Sequence, residues 1–176
     1  RVGMPISKIP IRNFDRVSLD TYKTMVIVSG SYDFNEDQIK KIKDWASNGN
    51  TIISIGCGSK FLIDNGIVNE KLLKSEKDED RKDYQPYIDA QDNRGKERIG
   101  GIILNAHVDL THPIGFGYED SNIPVYRNNT VWIQPSDNEY SSVVRYTNDP
   151  LIDGFITDNN AEKLNSTISL LVSKIG

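Results

Sequence analysis

Apolar positions cluster most clearly between Thr24 and Ile55. Met25-Val26-Ile27-Val28 is a short β-branched run closed by Ser29-Gly30-Ser31, which predicts a central parallel strand buried on both faces. Asp33 or Asn35 can cap the helix that follows, whose apolar residues Ile39, Ile42, Trp45 and Ala46 recur at helical spacing. Lysines 40, 41 and 43 are expected on its solvent side, and Gly49 is expected to stop it. Thr51 to Ile55 reads as a second strand, ending in Gly56-Cys57-Gly58 before an amphipathic stretch from Lys60 to Ile67. Strand, helix, strand, glycine turn and helix together predict a right-handed βαβ unit.

Further along, the pattern weakens. Between Lys74 and Asp83 lie four positive and five negative residues with no apolar face, which predicts a solvated excursion. Gly100-Gly101 introduces a candidate strand, Ile102-Ile103-Leu104. Beyond it, turns are expected at Thr111-His112-Pro113, Gly115-Phe116-Gly117, Asn128-Asn129, Gln134-Pro135-Ser136 and Asn148-Asp149-Pro150. Short strands fit at 124–126, 131–133 and 143–146, then a helix at 158–164 and a closing strand at 167–172.

Composition narrows the function classes. At 176 residues the chain is expected to form a single domain, residues 1–176. Lys and Arg total 21 against 25 Asp and Glu, so the net charge of -4 offers no basic field for a nucleic-acid backbone. No apolar run approaches the roughly 20 residues that span a bilayer. One cysteine and two histidines exclude a Cys-rich zinc site and leave little for a histidine-based one. No phosphate-binding glycine pattern occurs.

Two groups could carry chemistry. Cys57 stands at a strand-to-helix glycine turn, where helix amides can activate a thiol; the simpler reading is a small packing residue. In His107-Val108-Asp109-Leu110-Thr111-His112, an extended backbone puts His107 and Asp109 on one side, as a carboxylate-oriented base or a partial metal site would require. The simpler reading is that Asp109 and His112 stabilise the bend at Pro113. Neither histidine begins a zinc-peptidase pattern.

The blocks Tyr22 to Tyr32, Ile39 to Trp45 and Gly49 to Gly56 resemble class I glutamine amidotransferase-like domains. With Asp109 to Tyr118 and Pro124 to Asn129, the chain is similar to the domain that follows the catalytic domain in certain bacterial zinc carboxypeptidases of the carboxypeptidase A type. The resemblance implies an α/β fold, a three-layer flavodoxin-like sandwich around a mostly parallel sheet, truncated at both ends and so exposing sheet edges through which two copies could pair. It also implies a secreted or periplasmic protein whose zinc lies on the preceding peptidase domain, the expected partner within the same polypeptide, with no cofactor on this chain.

Transfer of the amidotransferase site fails at one residue. Where that family keeps its nucleophilic cysteine, Ser54-Ile55-Gly56-Cys57-Gly58 puts glycine, and the family's distal His-Pro-Glu is missing because His112-Pro113 continues to Ile114. The resemblance therefore implies a non-catalytic accessory or interaction domain, with Cys57 sluggish towards iodoacetamide. Two other functions remain open: a cysteine hydrolase or amidotransferase using Cys57 with His112 and Asp109, and a small-ligand module binding at strand carboxyl ends.

Overall fold

A computed structural model describes residues 3, 5–73, 86–91 and 98–175. The expected charged excursion at 74–83 lies outside the described residues. The chain divides into two units, Arg1–Val68 with Lys174–Gly176, and Asn69–Ser173.

The first unit carries the strand-helix-strand pattern. Strand β1 (Thr24–Ile27) pairs in parallel with β2 (Thr51–Ser54), joined through helix α1 (Glu36–Ser47), and helix α2 (Cys57–Asp64) follows. Of the two cap candidates, Asn35 is the cap. Its side chain accepts from Gln38 N at 2.9 Å while Gln38 Oε1 accepts from Asn35 N at 3.1 Å, a reciprocal capping box. Ile42, Trp45 and Ala46 of α1, Phe61 and Leu62 of α2, Ile27 of β1, and Phe14 and Leu19 from two preceding 3-10 segments form one core. Lys41 departs from the solvent-facing expectation: its Nζ donates to Val17 O at 2.7 Å and Phe14 O at 3.3 Å, tying down the first of those segments.

Because both helices and the 3-10 segments gather on one side, the expected double burial of β1 does not occur. Val26 is 56% exposed and Ile53 48% exposed on the opposite face. Apolar run and burial thus part company here, since a β-branched run specifies a strand but not how many layers cover it.

The second unit overturns the expectation of a flavodoxin-like sandwich with a mostly parallel sheet. Its four-stranded sheet has the order β4-β3-β5-β6 and every pair is antiparallel: β3 (Ile102–Val108), β4 (Asn122–Arg127), β5 (Ser142–Gly154) and β6 (Ile168–Leu171), with helix α3 (Asp158–Leu164) before β6. The cause is local. Ile102, Leu104, Ala106 and Val108 are buried while Ile103 and His107 between them are exposed, the period-2 alternation of a sheet covered on one face. The β3–β4 connection contains only a loop with a 3-10 turn at Pro113–Gly115, which returns the chain antiparallel, whereas a parallel return needs a crossover, usually a helix. Among the described residues, parallel pairing is confined to β1 and β2.

Two expected short elements also change. Asn148-Asp149-Pro150 does not end a strand; it lies inside β5, where pairing jumps from Ala106↔Tyr146 to Leu104↔Leu151 and the extra residues form an irregularity. Of 131–133, only Ile133 pairs, through single bridges to Leu72 and Ile168. Pro124 sits in edge strand β4, where a missing N–H is tolerated.

Candidate functional site

The parallel strands of the first unit end at Ile27 and Ser54, and Ser29 and Gly56-Cys57 follow just beyond their carboxyl ends. Ser29 Oγ donates to Ile55 O at 3.2 Å and accepts from Cys57 N at 3.4 Å, linking the two strand ends. Ser54 and Ser59 hydroxyls lie 2.9 Å apart beneath the turn.

The turn itself is built on glycine. Gly56 precedes α2 with φ 55° and ψ −119°, a conformation that costs a residue with a side chain on the order of 1–3 kcal/mol. Strained strand-to-helix bends of this kind are where hydrolases hold a nucleophile, so the side chain on that residue decides the chemistry. Here the residue has none. Cys57 is the first residue of α2, one position on, and its side chain is exposed. Its thiol is therefore open to a reagent, and the expected sluggishness towards iodoacetamide is a question of activation rather than of access. Gly58 serves a different need. A Cβ at Gly58 would lie 2.4 Å from Ile27 O, so α2 approaches β1 too closely for any side chain there.

Tyr32 is the residue near this turn that sequence reasoning passed over. Its hydroxyl donates to Val28 O, and its ring lies 6.1 Å from Phe34 and 5.2 Å from Phe61. Its phenol is pushed above the ordinary value, chiefly by burial and secondarily by the nearby Cys57 sulfur, so it stays a neutral donor. The alternation Tyr32-x-Phe34 before the helix cap was the available signal.

The second chemical group lies in the other unit. His107 is on β3, exposed, opposite Asn122 of β4 and Arg145 of β5. Asp109 follows on the same side, as alternation requires, but its carboxylate is engaged locally. Asp109 Oδ1 accepts from Thr111 N at 2.9 Å and Thr111 Oγ1 at 2.7 Å, and these bonds, more than the weaker influence of His112, hold its carboxyl below the ordinary value. His112 Nδ1 accepts from Ile114 N at 3.2 Å and so caps the 3-10 turn that begins at Pro113. Gly115 closes that turn, where a Cβ would lie 2.4 Å from Asp109 O. Asp109 and His112 are therefore brought together as turn-stabilising groups. Cys57 belongs to the first unit and these two residues to the second.

Among the described residues, no group of three or more His, Cys, Asp or Glu is placed to hold a metal ion. A shallow depression of about 440 Å3 in the first unit is lined by the chain from Val17 to Asp20 and by Asp37, Lys40, Lys41 and Asp44 of α1, away from the strand carboxyl ends. Arg127 is a further residue missed from sequence. It is buried, with Nε donating to Asn129 O (3.0 Å), Nη1 to the Tyr146 hydroxyl (2.9 Å) and Nη2 to Val131 O (2.7 Å), and its guanidinium lies 4.1 Å from the centre of the Trp132 ring. Three neutral acceptors and an aromatic face surround this cation, with no carboxylate partner among the described residues, which makes it a core fastener. No helix among the described residues is long and apolar enough to cross a membrane.

No family model, curated protein or solved structure matches this chain.

Proposed function

We propose that this chain is a non-catalytic accessory or interaction module, as its resemblance to the domain following a zinc carboxypeptidase implies. One observation carries the reading: the strained bend where a nucleophile would stand is occupied by Gly56, and the sulfur is displaced onto the first residue of α2. The engagement of Asp109 and His112 in their own turn supports it further, since the base of the rival hydrolase reading already accepts a backbone hydrogen bond. In this proposal the partner is the preceding peptidase domain of the same polypeptide, export follows from that context, and zinc belongs to that domain.

The test has two arms. Incubated with L-glutamine, the chain should release no more ammonia than its Cys57→Ala variant; release that depends on Cys57 would restore the hydrolase reading. Appended to the peptidase domain, the chain should change that domain's thermal stability or peptide turnover. An identical midpoint and turnover with and without it would remove the accessory role.

A further inference from the structure

Both helices of the first unit end in the same dipeptide. Asn48 follows α1 and Asn65 follows α2, and each is succeeded by a glycine in the left-handed region, Gly49 at φ +86° and Gly66 at φ +61°. These are the two Asn-Gly pairs of the chain. Asparagine before glycine is chemically labile, because no Cβ hinders the next backbone nitrogen from reaching the side-chain amide carbon. That nitrogen must be free and the side chain must swing back over it, so the local hydrogen bonds that have to open set the rate.

The two pairs are held very differently. Asn65 Nδ2 donates to Phe61 O at 2.8 Å, and Lys43 Nζ donates to Gly66 O at 2.9 Å. Just beyond, the buried Ile67 donates its N–H to Leu62 O at 2.9 Å, and Gly66 N, the atom that would attack, donates to Ile63 O at 3.0 Å. At the end of α1 the backbone bond has its counterpart, Gly49 N to Ala46 O at 3.0 Å, but the side chain is untied. Asn48 is exposed, and among the described residues its amide has no hydrogen-bond partner.

We propose that Asn48 is a site of spontaneous deamidation and that the fold protects Asn65 from the same reaction. Gly49 N gives its proton to hydroxide and bonds to Asn48 Cγ. The Cγ–Nδ2 bond then breaks, and the amide nitrogen takes a proton from water and leaves as ammonia. One water opens the resulting five-membered imide at either carbonyl, giving aspartate or isoaspartate. The net change is amide and water to acid and ammonia, with no oxidant or reductant. The new carboxylate stands at the negative end of α1, in the depression that Asp20, Asp37 and Asp44 already line. The isoaspartate form also lengthens the backbone by a methylene two residues before Asn50 completes its bond from Nδ2 to Trp45 O at 2.8 Å. Both products loosen the end of α1. No partner takes part, so the reaction is independent of the accessory role.

Peptide mapping by mass spectrometry of the intact chain aged at body temperature and neutral pH gives the test. Conversion at Asn48, with aspartate and isoaspartate resolved by chromatography, should run about tenfold faster than at Asn65, the factor that one retained hydrogen bond supplies. In concentrated urea those bonds are gone, and the two rates should lie within about threefold of each other. Lys43→Ala should raise the rate at Asn65 and leave that at Asn48 unchanged. Ageing should lower the thermal midpoint of the wild type but not of Asn48→Ser, which cannot form the imide. Four results would each overturn the proposal: equal rates in the folded chain, faster conversion at Asn65, an intact Asn48 when a free peptide of residues 44–52 has fully converted, or a difference that persists in urea.

Discussion

Replacing Gly58 with alanine tests the packing of α2 on β1 most sharply, because two effects of opposite sign meet there. Alanine favours a helix over glycine by up to about 1 kcal/mol. Against this, the added methyl would stand 2.4 Å from Ile27 O and 3.0 Å from Ile27 C and Cγ2, where ordinary contacts begin at 3.4 Å. The obstructing atom is backbone, so no side-chain rotation relieves it. Ile27 O also accepts the Ile55 N–H at 2.9 Å, so pushing β1 aside strains the link to the chain just past β2. Overpacking of this kind costs about 1–3 kcal/mol, and the added strain on that bond keeps the balance unfavourable, at about 2 kcal/mol. With a urea slope of about 1–3 kcal/mol/M, the midpoint followed by circular dichroism should fall by about 1 M. Gly66→Ala is the comparison: φ there is +61° with nothing within 4 Å, so only backbone strain of about 1 kcal/mol acts. If Gly58→Ala left the midpoint unchanged or raised it, the close approach of α2 to β1 would be wrong.

Other expectations follow from single contacts. Asn35→Ala removes the acceptor of the capping box and should cost about 1 kcal/mol in the same denaturation assay. Arg127→Lys keeps the charge but loses the planar stack on Trp132 and the spread of donors to three acceptors, and should destabilise by about 2 kcal/mol; a cost within error of zero would show the guanidinium contacts to be incidental. Because the folded carboxyl of Asp109 is held below its ordinary value of 3.8, it favours the folded loop above that pH and loses this effect as pH falls through the folded value. The Thr111 amide resonance should therefore titrate with a midpoint below 3.8 in the wild type and not at all in Asp109→Asn.

The two halves of the chain differed in how much they disclosed. Met25 to Val28 and Thr51 to Ile55 were legible as parallel strands because β-branched runs flank a helix of good period, whereas the choice of Asn35 over Asp33 as its cap came from the reciprocal bonds with Gln38. The bare second face of β1 was not legible, since Val26 and Ile53 look the same in sequence whether or not a layer covers them. In the second half, Ile102-Ile103-Leu104 drew attention as a continuous run and hid the longer alternation through Val108, whose polar members Asn105 and His107 mark a one-sided sheet. Pro150 suggested a turn because proline cannot donate, yet an irregular stretch of β5 accommodates it. Of the candidate site, the displaced cysteine and the turn role of Asp109 with His112 were readable. Tyr32 and Arg127 were not, because their meaning comes from partners that only the fold supplies.

Cys57 in this reading lacks the activation of a nucleophile, and the rate of its alkylation by iodoacetamide at pH 7 addresses this directly. A free thiol is only a few per cent thiolate there, so full activation would accelerate the reaction by about tenfold or more. The expected rate is within a few-fold of an unstructured cysteine peptide, falling to zero in Cys57→Ala. Stoichiometric labelling more than about tenfold faster than that peptide would contradict it.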